Sequence, residues 1–310
     1  MAGHASDESV ERATAVLLGG GIIALPTETV YGLAADVANP AAIARIYAIK
    51  GRPADHPLIV HVHDLAALDG YVLAPPPALH TLAARFWPGP LTIVLRRGPR
   101  TPLTVTGGQE TVAVRVPAHP IAQAILRRFG GALAAPSANR FGRVSPTTAQ
   151  HVRADLGDAV DLIVDGGPAE VGVESTIVDL TGGVPAVLRA GAITPGALGA
   201  VLGAPVVTRI GGAVRVSGTL ASHYAPHAQL VLVEPDALAA QVRTRARAGE
   251  RVGVLTLPDD PQGAARTLYA TLRALDADGY ATILATLPPD DEANAAVRDR
   301  LLRAAAPRES

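Results

Sequence analysis

The feature that most constrains the fold is a change of pattern along the chain. Up to about residue 203, short apolar segments typical of buried strands intermix with helical segments without strict alternation. After residue 227, strands and helices alternate regularly in three units, and the segment between is rich in glycine and proline. We therefore predict an α/β fold: a twisted mixed sheet with helices over 1–205, an extended linker over 206–227, and a small Rossmann-like parallel-sheet domain over 228–310.

The composition excludes several classes of protein. The chain has 310 residues, 48% of them hydrophobic, so it can bury a sizeable core. A formal net charge of -1 argues against a general nucleic-acid binder. The absence of cysteine excludes disulfide scaffolds, zinc ribbons and thiol catalysis. With no long uncharged apolar run and a polar N-terminus, we expect a cytoplasmic protein without a membrane span.

A single lysine stands out among the basic residues. Lys50 is the only lysine, and the other 26 of the 27 basic residues are arginine. It begins the sequence Lys50-Gly51-Arg52-Pro53, which presents two cations from one stiff turn after a helix. Chance retention in a solvated turn is one explanation. The other is that Lys50 and Arg52 hold an anion such as a phosphate, because a compact ammonium and a guanidinium are not interchangeable there.

Small polar residues lie at the ends of several predicted strands. Open α/β sheets place their ligands at such ends, although caps and turns use the same residue types. We also predict a helix from Pro146 to Leu156, capped by Ser145 or Thr147 and able to hold an anion at its start. The strand-end segments are Thr27-Glu28-Thr29, Ala135-Pro136-Ser137-Ala138-Asn139 and Gly172-Val173-Glu174-Ser175-Thr176.

Charged residues in apolar strands also need partners. Arg115 ends the predicted strand 112–116, and we favour a small-ligand carboxylate over a structural ion pair as its partner. Arg189 leaves another strand, so three separated cation groups accompany the strand-end hydroxyls. This combination favours a nucleotide together with a small polar acid. His61 and His63 are predicted to share one strand face, but without neighbouring carboxylates a zinc site is disfavoured.

Five motifs occur in order along the chain, followed by a linker sequence. They are Pro26-Thr27-Glu28-Thr29-Val30-Tyr31-Gly32-Leu33, Lys50-Gly51-Arg52-Pro53 with Pro57-Leu58, Pro136-Ser137-Ala138-Asn139, Glu174-Ser175-Thr176-Ile177-Val178-Asp179, Leu188-Arg189-Ala190-Gly191 and the linker sequence Ser222-His223-Tyr224-Ala225-Pro226. Together they resemble the YrdC/TsaC family of threonylcarbamoyl-AMP synthases. The resemblance spans about residues 9 to 205, and the tail is similar to the long, two-domain form. Any one motif is weak, whereas five in the right order together with the linker sequence are specific.

The resemblance implies a reaction and its partners. L-threonine and bicarbonate (or CO2) give N-carboxy-threonine, which attacks the α-phosphate of ATP and yields threonylcarbamoyl-AMP and pyrophosphate. Mg2+ is expected to come with the ATP phosphates, with no metal ligand from protein side chains. Downstream transfer proteins would pass the threonylcarbamoyl group to ANN-decoding tRNAs, so this chain would meet tRNA only indirectly.

The resemblance also implies roles for individual residues. Lys50 and Arg52 would be catalytic by neutralising the phosphates, and Tyr224 would bring the linker over ATP as a lid that excludes water. The residues implied for ATP are Lys50, Arg52, His56, Thr111, Ser137, Asn139, Ser145, Arg189 and Tyr224. The residues implied for threonine are Thr29, His61, Arg115, Ala135 and Ser175.

Two other functions compete with this one. Carbamoyltransferases of the hydrogenase-maturation type use a similar domain, but they carry cysteine-rich modules for which this chain has neither cysteine nor room. An RNA-binding or ribosome-associated module without adenylation chemistry is the second alternative, and the scarcity of aromatic residues counts against it. ATP turnover that requires threonine but no RNA would separate the two.

Overall fold

The computed structural model describes residues 7–209, 211–220 and 222–307. We call residues 7–209 the large domain, the described residues from 211 to 227 the linker, and residues 228–307 the small domain. The large domain's α-helices are α1 (Asp7–Leu18), α2 (Pro40–Lys50), α3 (Pro77–Phe86), α4 (Leu103–Thr106), α5 (Pro120–Phe129), α6 (Ala149–Leu156) and α7 (Pro195–Leu202). Its strands are β1 (Ile23–Leu25), β2 (Gly32–Asp36), β3 (Ile59–His61), β4 (Leu91–Arg96), β5 (Thr111–Arg115), β6 (Leu133–Ala134), β7 (Leu162–Ile163), β8 (Thr176–Asp179), β9 (Ala186–Arg189) and β10 (Val207–Thr208).

The large domain is built on one mixed sheet, as predicted. Among the described residues its strand order is β10-β9-β8-β4-β5-β3-β6-β2-β1-β7. The parallel pair β3 and β5 lies near the middle, and its register sets His61 opposite Arg115. Both residues end their strands, so two predicted site residues lie side by side at one edge of the sheet.

Helices and the linker cover different parts of this sheet. Alternating side chains of β1 go to opposite faces, since Ala24 packs in one apolar cluster while Ile23 and Leu25 pack in another with α1 and α5. A third cluster on the sheet holds Ile177 and Val216, the second of which belongs to the linker. The linker is therefore packed on the sheet, and its position is fixed by apolar contact as well as by hydrogen bonds.

Local capping decides where α2 and α6 begin and end. Asn39 accepts hydrogen bonds from two backbone amides at the start of α2, and Gly51 ends that helix in the left-handed region at φ 63°. The prediction that α6 starts at Pro146, capped by Ser145 or Thr147, is wrong. The helix starts at Ala149, because the Thr148 side chain accepts the His151 amide at 3.2 Å.

The small domain is a three-stranded parallel sheet with helices, as predicted. Its strands pair in the order β11-β13-β12, and its core merges with large-domain residues such as Val144 and Val173 around Tyr224 and Tyr269. Across the described ranges, no helix is long and apolar enough to cross a membrane. The elements are β11 (Gln229–Leu232), α8 (Leu238–Arg247), β12 (Val252–Val254), α9 (Pro261–Ala277), β13 (Thr282–Ala285) and α10 (Ala295–Ala305).

Candidate active site

A cavity with many polar residues in its lining lies where the edge of the large sheet meets the linker. Strand ends and the loops beside them form one wall, which we call the sheet wall, and the linker forms the other, the linker wall. The residues that line it are Thr27, Thr29, Val30, Gly32, Ile59, His61, Arg115, Ala135, Pro136, Ser137, Glu174, Ser175, Arg189, Ser217, His223 and Tyr224. All five residues implied for threonine are among them, as are Ser137, Arg189 and Tyr224 from the set implied for ATP.

The turn after β1 is fixed by its own hydroxyl. The Thr27 Oγ1 donates to the Val30 carbonyl at 2.6 Å and accepts the Thr29 amide at 3.2 Å. This is the local turn chemistry that the sequence left open as an alternative. The turn nevertheless faces the cavity, so capping and a ligand contact are compatible here.

Arg115 makes the ion pair that was the disfavoured alternative. Its Nη2 lies 2.7 Å from Glu28 Oε1, its Nη1 donates to Thr29 Oγ1 at 2.9 Å, and its Nε donates to the Gly89 carbonyl at 3.2 Å. Both charged side chains are buried, and the Ala118 amide donates to the second Glu28 oxygen at 3.0 Å. Because Arg115 also lines the cavity, its contact with a ligand carboxylate stays a prediction.

Ser175 is held from two directions. Its Oγ lies 2.7 Å from Thr92 Oγ1, and Arg189 Nη2 donates to the same oxygen at 3.1 Å. Arg189 also donates to the carbonyls of Ser175 and Ser217, which ties the sheet wall to the linker wall. Burial lowers the pKa of Arg189, and the nearby Tyr224 and Glu174 act in the opposite direction.

His61 is a buried, neutral histidine. Burial lowers its pKa to about 3, with the charge of Arg115 acting in the same direction. Its Nδ1 lies 3.1 Å from the Ile59 carbonyl, so Nδ1 carries the proton and Nε2 is an acceptor. The prediction that His63 shares its strand face is wrong, because β3 ends at His61.

Lys50 contacts the backbone of the sheet wall but does not line the cavity. It is 2% exposed, and its Nζ donates to the carbonyls of Ser137 and Asn139 at 2.5 and 2.7 Å. Burial lowers its pKa well below the usual value, and the charge of Arg52 adds to this. The ammonium thus meets two particular oxygens, which belong to the backbone of the predicted ligand-binding segment.

A second cavity adjoins the first on the far side of the linker and shares His223 with it. Its walls contain Arg52, His56, Phe141 and Arg215. Arg52 Nη2 donates to the Pro57 carbonyl at 3.0 Å and to the Ser217 hydroxyl at 3.3 Å, so it too holds the linker. Burial lowers the pKa of Arg52 to about 10, which leaves the guanidinium charged at neutral pH.

Besides Lys50, three residues implied for ATP lie outside the walls of both cavities. Thr111 begins β5 opposite Arg96, at the other end of the strand from Arg115. Asn139 donates to the carbonyls of Arg140 and Arg143, and its buried Oδ1 has no partner among the described residues. Ser145 is fully buried and donates to Glu174 at 2.5 Å. Their contacts with a nucleotide stay predictions.

The linker folds back on itself above the first cavity. Tyr224 has a positive φ of 61°, is 1% exposed and donates to the Gly218 carbonyl at 3.3 Å. A Cβ at position 218 would lie 2.0 Å from the Tyr224 hydroxyl, so this close approach requires glycine. The ring of His223 packs edge-on against Tyr224 at 4.1 Å between centroids and against Phe141 at 6.0 Å.

Residues of the small domain that reach this site were missed from the sequence. Arg300 and Tyr269 contact the cavity-wall carboxylate Glu174. The available signal was a charge on the apolar face of a helix, since Arg300 falls among the buried positions Val297, Leu301 and Ala304 of α10.

Carboxylates near the cavity are already neutralised by the protein. Glu28 is paired with Arg115, and Glu174 with Arg300. In the parts of the chain that the structure describes, no group of three or more histidine, aspartate or glutamate side chains could hold a metal ion.

Comparisons with known proteins agree with this architecture. A family model for Sua5, YciO and YrdC, described as "Telomere recombination", matches residues 15–191, and one described as "Threonylcarbamoyl-AMP synthase, C-terminal domain" matches residues 193–306. The threonylcarbamoyl-AMP synthase of Bacillus subtilis is 38% identical over 97% of this chain and 94% of its own length. That of Pyrococcus abyssi is 37% identical over 92% of this chain and 90% of its own.

Solved structures match all or part of this fold. The crystal structure of Pyrococcus abyssi Sua5 complexed with L-threonine has a TM-score of 0.92 at 36% identity and covers 98% of this chain and 96% of its own. Escherichia coli YciO has a TM-score of 0.53 at 27% identity, over 60% of this chain and 90% of its own. Full-length HypF, at 17% identity and a TM-score of 0.54, shares the fold alone over 60% of this chain and 30% of its own.

Fold, cavity and relatives together define a two-domain α/β enzyme of the nucleotidyltransferase class. The chain belongs to the Sua5/YciO/YrdC family, in the two-domain form of the threonylcarbamoyl-AMP synthases.

Proposed function

We propose that this chain forms threonylcarbamoyl-AMP and pyrophosphate from ATP, L-threonine and bicarbonate or CO2. One observation carries the proposal: the five residues implied for threonine line a single cavity, in a fold that matches the threonine-bound Sua5 of Pyrococcus abyssi. The name shared by the curated relatives supports the same product.

The chemistry needs alignment more than covalent help. The amine of threonine bonds to the carbon of CO2 and loses a proton, which gives a carbamate; with bicarbonate, that proton leaves together with the bicarbonate hydroxyl as water. A carbamate oxygen then bonds to the α-phosphorus of ATP while the bond from that phosphorus to the bridging oxygen breaks. Pyrophosphate leaves with that electron pair, so the protein's task is to bring two anions together and neutralise them.

The side chains divide this task between the walls. In the proposal Arg115 and Ser175 bind threonine at the sheet wall, and neutral His61 accepts a hydrogen bond there. Arg189 and Arg52 supply positive charge near the linker, where the nucleotide phosphates would lie. Lys50 holds the Ser137–Asn139 backbone and adds its charge from behind. Because the nearby carboxylates are already paired, Mg2+ would be held through the ATP phosphates.

The wider context is also part of the proposal. The product would be the first intermediate of threonylcarbamoyladenosine formation in ANN-decoding tRNAs. Separate transfer proteins would carry the group to tRNA, in the cytoplasm.

The deciding experiment measures pyrophosphate release by the purified chain with ATP, Mg2+ and bicarbonate, with and without L-threonine and without RNA. We expect release that depends on threonine, together with a threonylcarbamoyl-AMP mass. Release that ignores the amino acid, or no release, would overturn the proposal and favour the RNA-binding alternative.

A further inference from the structure

One wall residue of the first cavity is held mainly by the small domain. Glu174 is 6% exposed and accepts hydrogen bonds from Ser145 Oγ at 2.5 Å, from Tyr269 Oη at 2.9 Å and from Arg300 Nε at 2.8 Å. Tyr269 lies on α9 and Arg300 on α10. The acid that precedes Ser175 in the sequence is therefore satisfied across the domain boundary.

Arg300 contacts the linker wall at the same time. Its guanidinium carbon lies 4.9 Å from the centroid of the Tyr224 ring, and its Nη2 donates to the Ala190 carbonyl at 3.0 Å. Tyr269 stacks on the same tyrosine with 5.9 Å between ring centroids. One buried arginine thus touches a cavity-wall carboxylate, the backbone next to Arg189, and the back of the lid residue.

The charge pairing of Glu174 with Arg300 couples the packing of the two domains to the position of the linker. Burial alone would raise the pKa of Glu174, but the charges of Arg300 and Arg189 outweigh it and lower that pKa to about 2. Arg300 is 1% exposed, so the pair is buried while the domains are packed together, and each charge loses its main partner if they separate. Separation of the domains and loss of the linker position are therefore expected to occur together.

Other contacts converge on the same loops. Arg273 of α9 pairs with Asp155 and donates to the carbonyls of Val144 and Ser145. Arg303 of α10 donates to the Leu220 carbonyl and accepts the His223 amide at its own carbonyl. The two long helices of the small domain therefore hold the linker and the loops behind the cavity.

We propose that Arg300 and Tyr269 are positioning residues through which the small domain holds Glu174 and Tyr224 in place around the cavity. The kinetic consequence rests on the proposed function, in which the linker wall faces the nucleotide. Loss of Arg300 should then weaken ATP binding more than threonine binding, because the threonine residues belong to the opposite wall.

The test compares Arg300→Met with Arg298→Met, a matched control on the same helix. Arg298 pairs with the exposed Asp290 and with the Pro288 carbonyl, away from the cavity. For Arg300→Met we expect hydrogen–deuterium exchange in linker residues 214–220 to become at least tenfold faster than in wild type, with exchange of β4 and β5 unchanged. We also expect the KM for ATP to rise at least tenfold and the KM for threonine to change less than threefold.

Tyr269→Phe keeps the ring and removes one hydrogen bond, so it serves if Arg300→Met does not fold. It should shift linker exchange and the KM for ATP in the same direction by about threefold. Unchanged linker exchange in both variants, or equal changes in Arg298→Met, would overturn the positioning role. If wild type shows no threonine-dependent pyrophosphate release, the proposed function fails, and the exchange comparison still decides whether the small domain holds the linker.

Discussion

Two buried arginine–glutamate pairs flank the cavity, and their contact distances are almost equal. Arg115 and Glu28 are 2.7 Å apart in the sheet wall, and Arg300 and Glu174 are 2.8 Å apart where the segment before β8 meets the small domain. The first pair lies within the large domain and fixes the turn after β1. The second joins two domains. The same kind of ion pair thus fixes local geometry within one domain and, in our proposal, holds the site together across two domains.

The largest predicted effect, on both stability and turnover, concerns Arg115 in the first pair. In Arg115→Met, Glu28 keeps the Ala118 amide but loses its charge partner while buried. Breaking a buried pair in this way costs about 3–5 kcal/mol in the free energy of unfolding. Denaturant titration should show this loss, and threonine-dependent turnover should disappear.

The double variant Glu28→Gln/Arg115→Met separates stability from binding. It should recover much of the unfolding free energy, because no buried charge is left alone, while turnover stays lost. Recovery of turnover in the double variant would show that Arg115 is structural and has no role toward the threonine carboxylate.

Lys50→Arg should give the next largest effect. Two carbonyls lie within 2.7 Å of the Nζ, so the wider guanidinium must displace the Ser137–Asn139 segment. Overpacking of this kind costs about 1–3 kcal/mol. We expect activity to fall strongly in Lys50→Arg and in Lys50→Ala. Arg45→Lys, on the exposed side of the same helix, should leave activity and the free energy of unfolding nearly unchanged. Full activity in Lys50→Arg would contradict the role assigned to Lys50.

These residues show which parts of the fold and site could be predicted from the sequence. The strand-end hydroxyls and Arg115 were predictable because they follow apolar runs whose ends are local features. The strand β2 was missed, since Gly32 and the alanines after it have low β propensity and the strand forms only between β1 and β6. The helix α7 was also missed, although Thr194 before Pro195 is a recognisable cap.

The contact between the domains could not be predicted in the same way. Arg300 and Glu174 are separated by 126 residues, and nothing local indicates that α10 packs against the segment before β8. The linker register depends likewise on a three-dimensional fit of Gly218 to Tyr224. Local patterns therefore predicted which residues lie at the strand ends of the sheet wall. The place of Tyr224 in the linker wall was predicted only through the family resemblance.

Each wall also contains one buried histidine, and these two residues should make the stability of the fold depend on pH. Burial lowers the pKa of both His61 and His223 to about 3, against about 6.5 in the unfolded chain. Below pH 6.5 the unfolded state binds protons that the folded state does not, so stability is lost as the pH falls. Between pH 6.5 and 5 each histidine should contribute a loss of about 2 kcal/mol.

Denaturant midpoints at pH 7 and pH 5 measure this loss. His61→Gln and His223→Gln should each reduce the difference between the two pH values by a similar amount. His80→Gln, at an exposed position on α3, should leave the difference as in wild type. A pH dependence that neither buried variant reduces would mean that these histidines are not buried in neutral form.

The smallest predicted effect concerns the support of Ser175 in the sheet wall. Thr92→Val keeps the shape of the side chain but removes the hydroxyl 2.7 Å from Ser175 Oγ, at a cost of about 1 kcal/mol. Thr101→Val is the matched control, since its buried hydroxyl donates to the Tyr71 carbonyl far from the cavity. Both variants should lose similar unfolding free energy, but only Thr92→Val should raise the KM for threonine, by about two- to fivefold.

The effect is small because Arg189 still donates to the Ser175 hydroxyl, which therefore keeps one of its two partners. Equal KM values in the two variants would mean that Ser175 does not take part in threonine binding, which would then depend on Thr29, His61, Arg115 and Ala135.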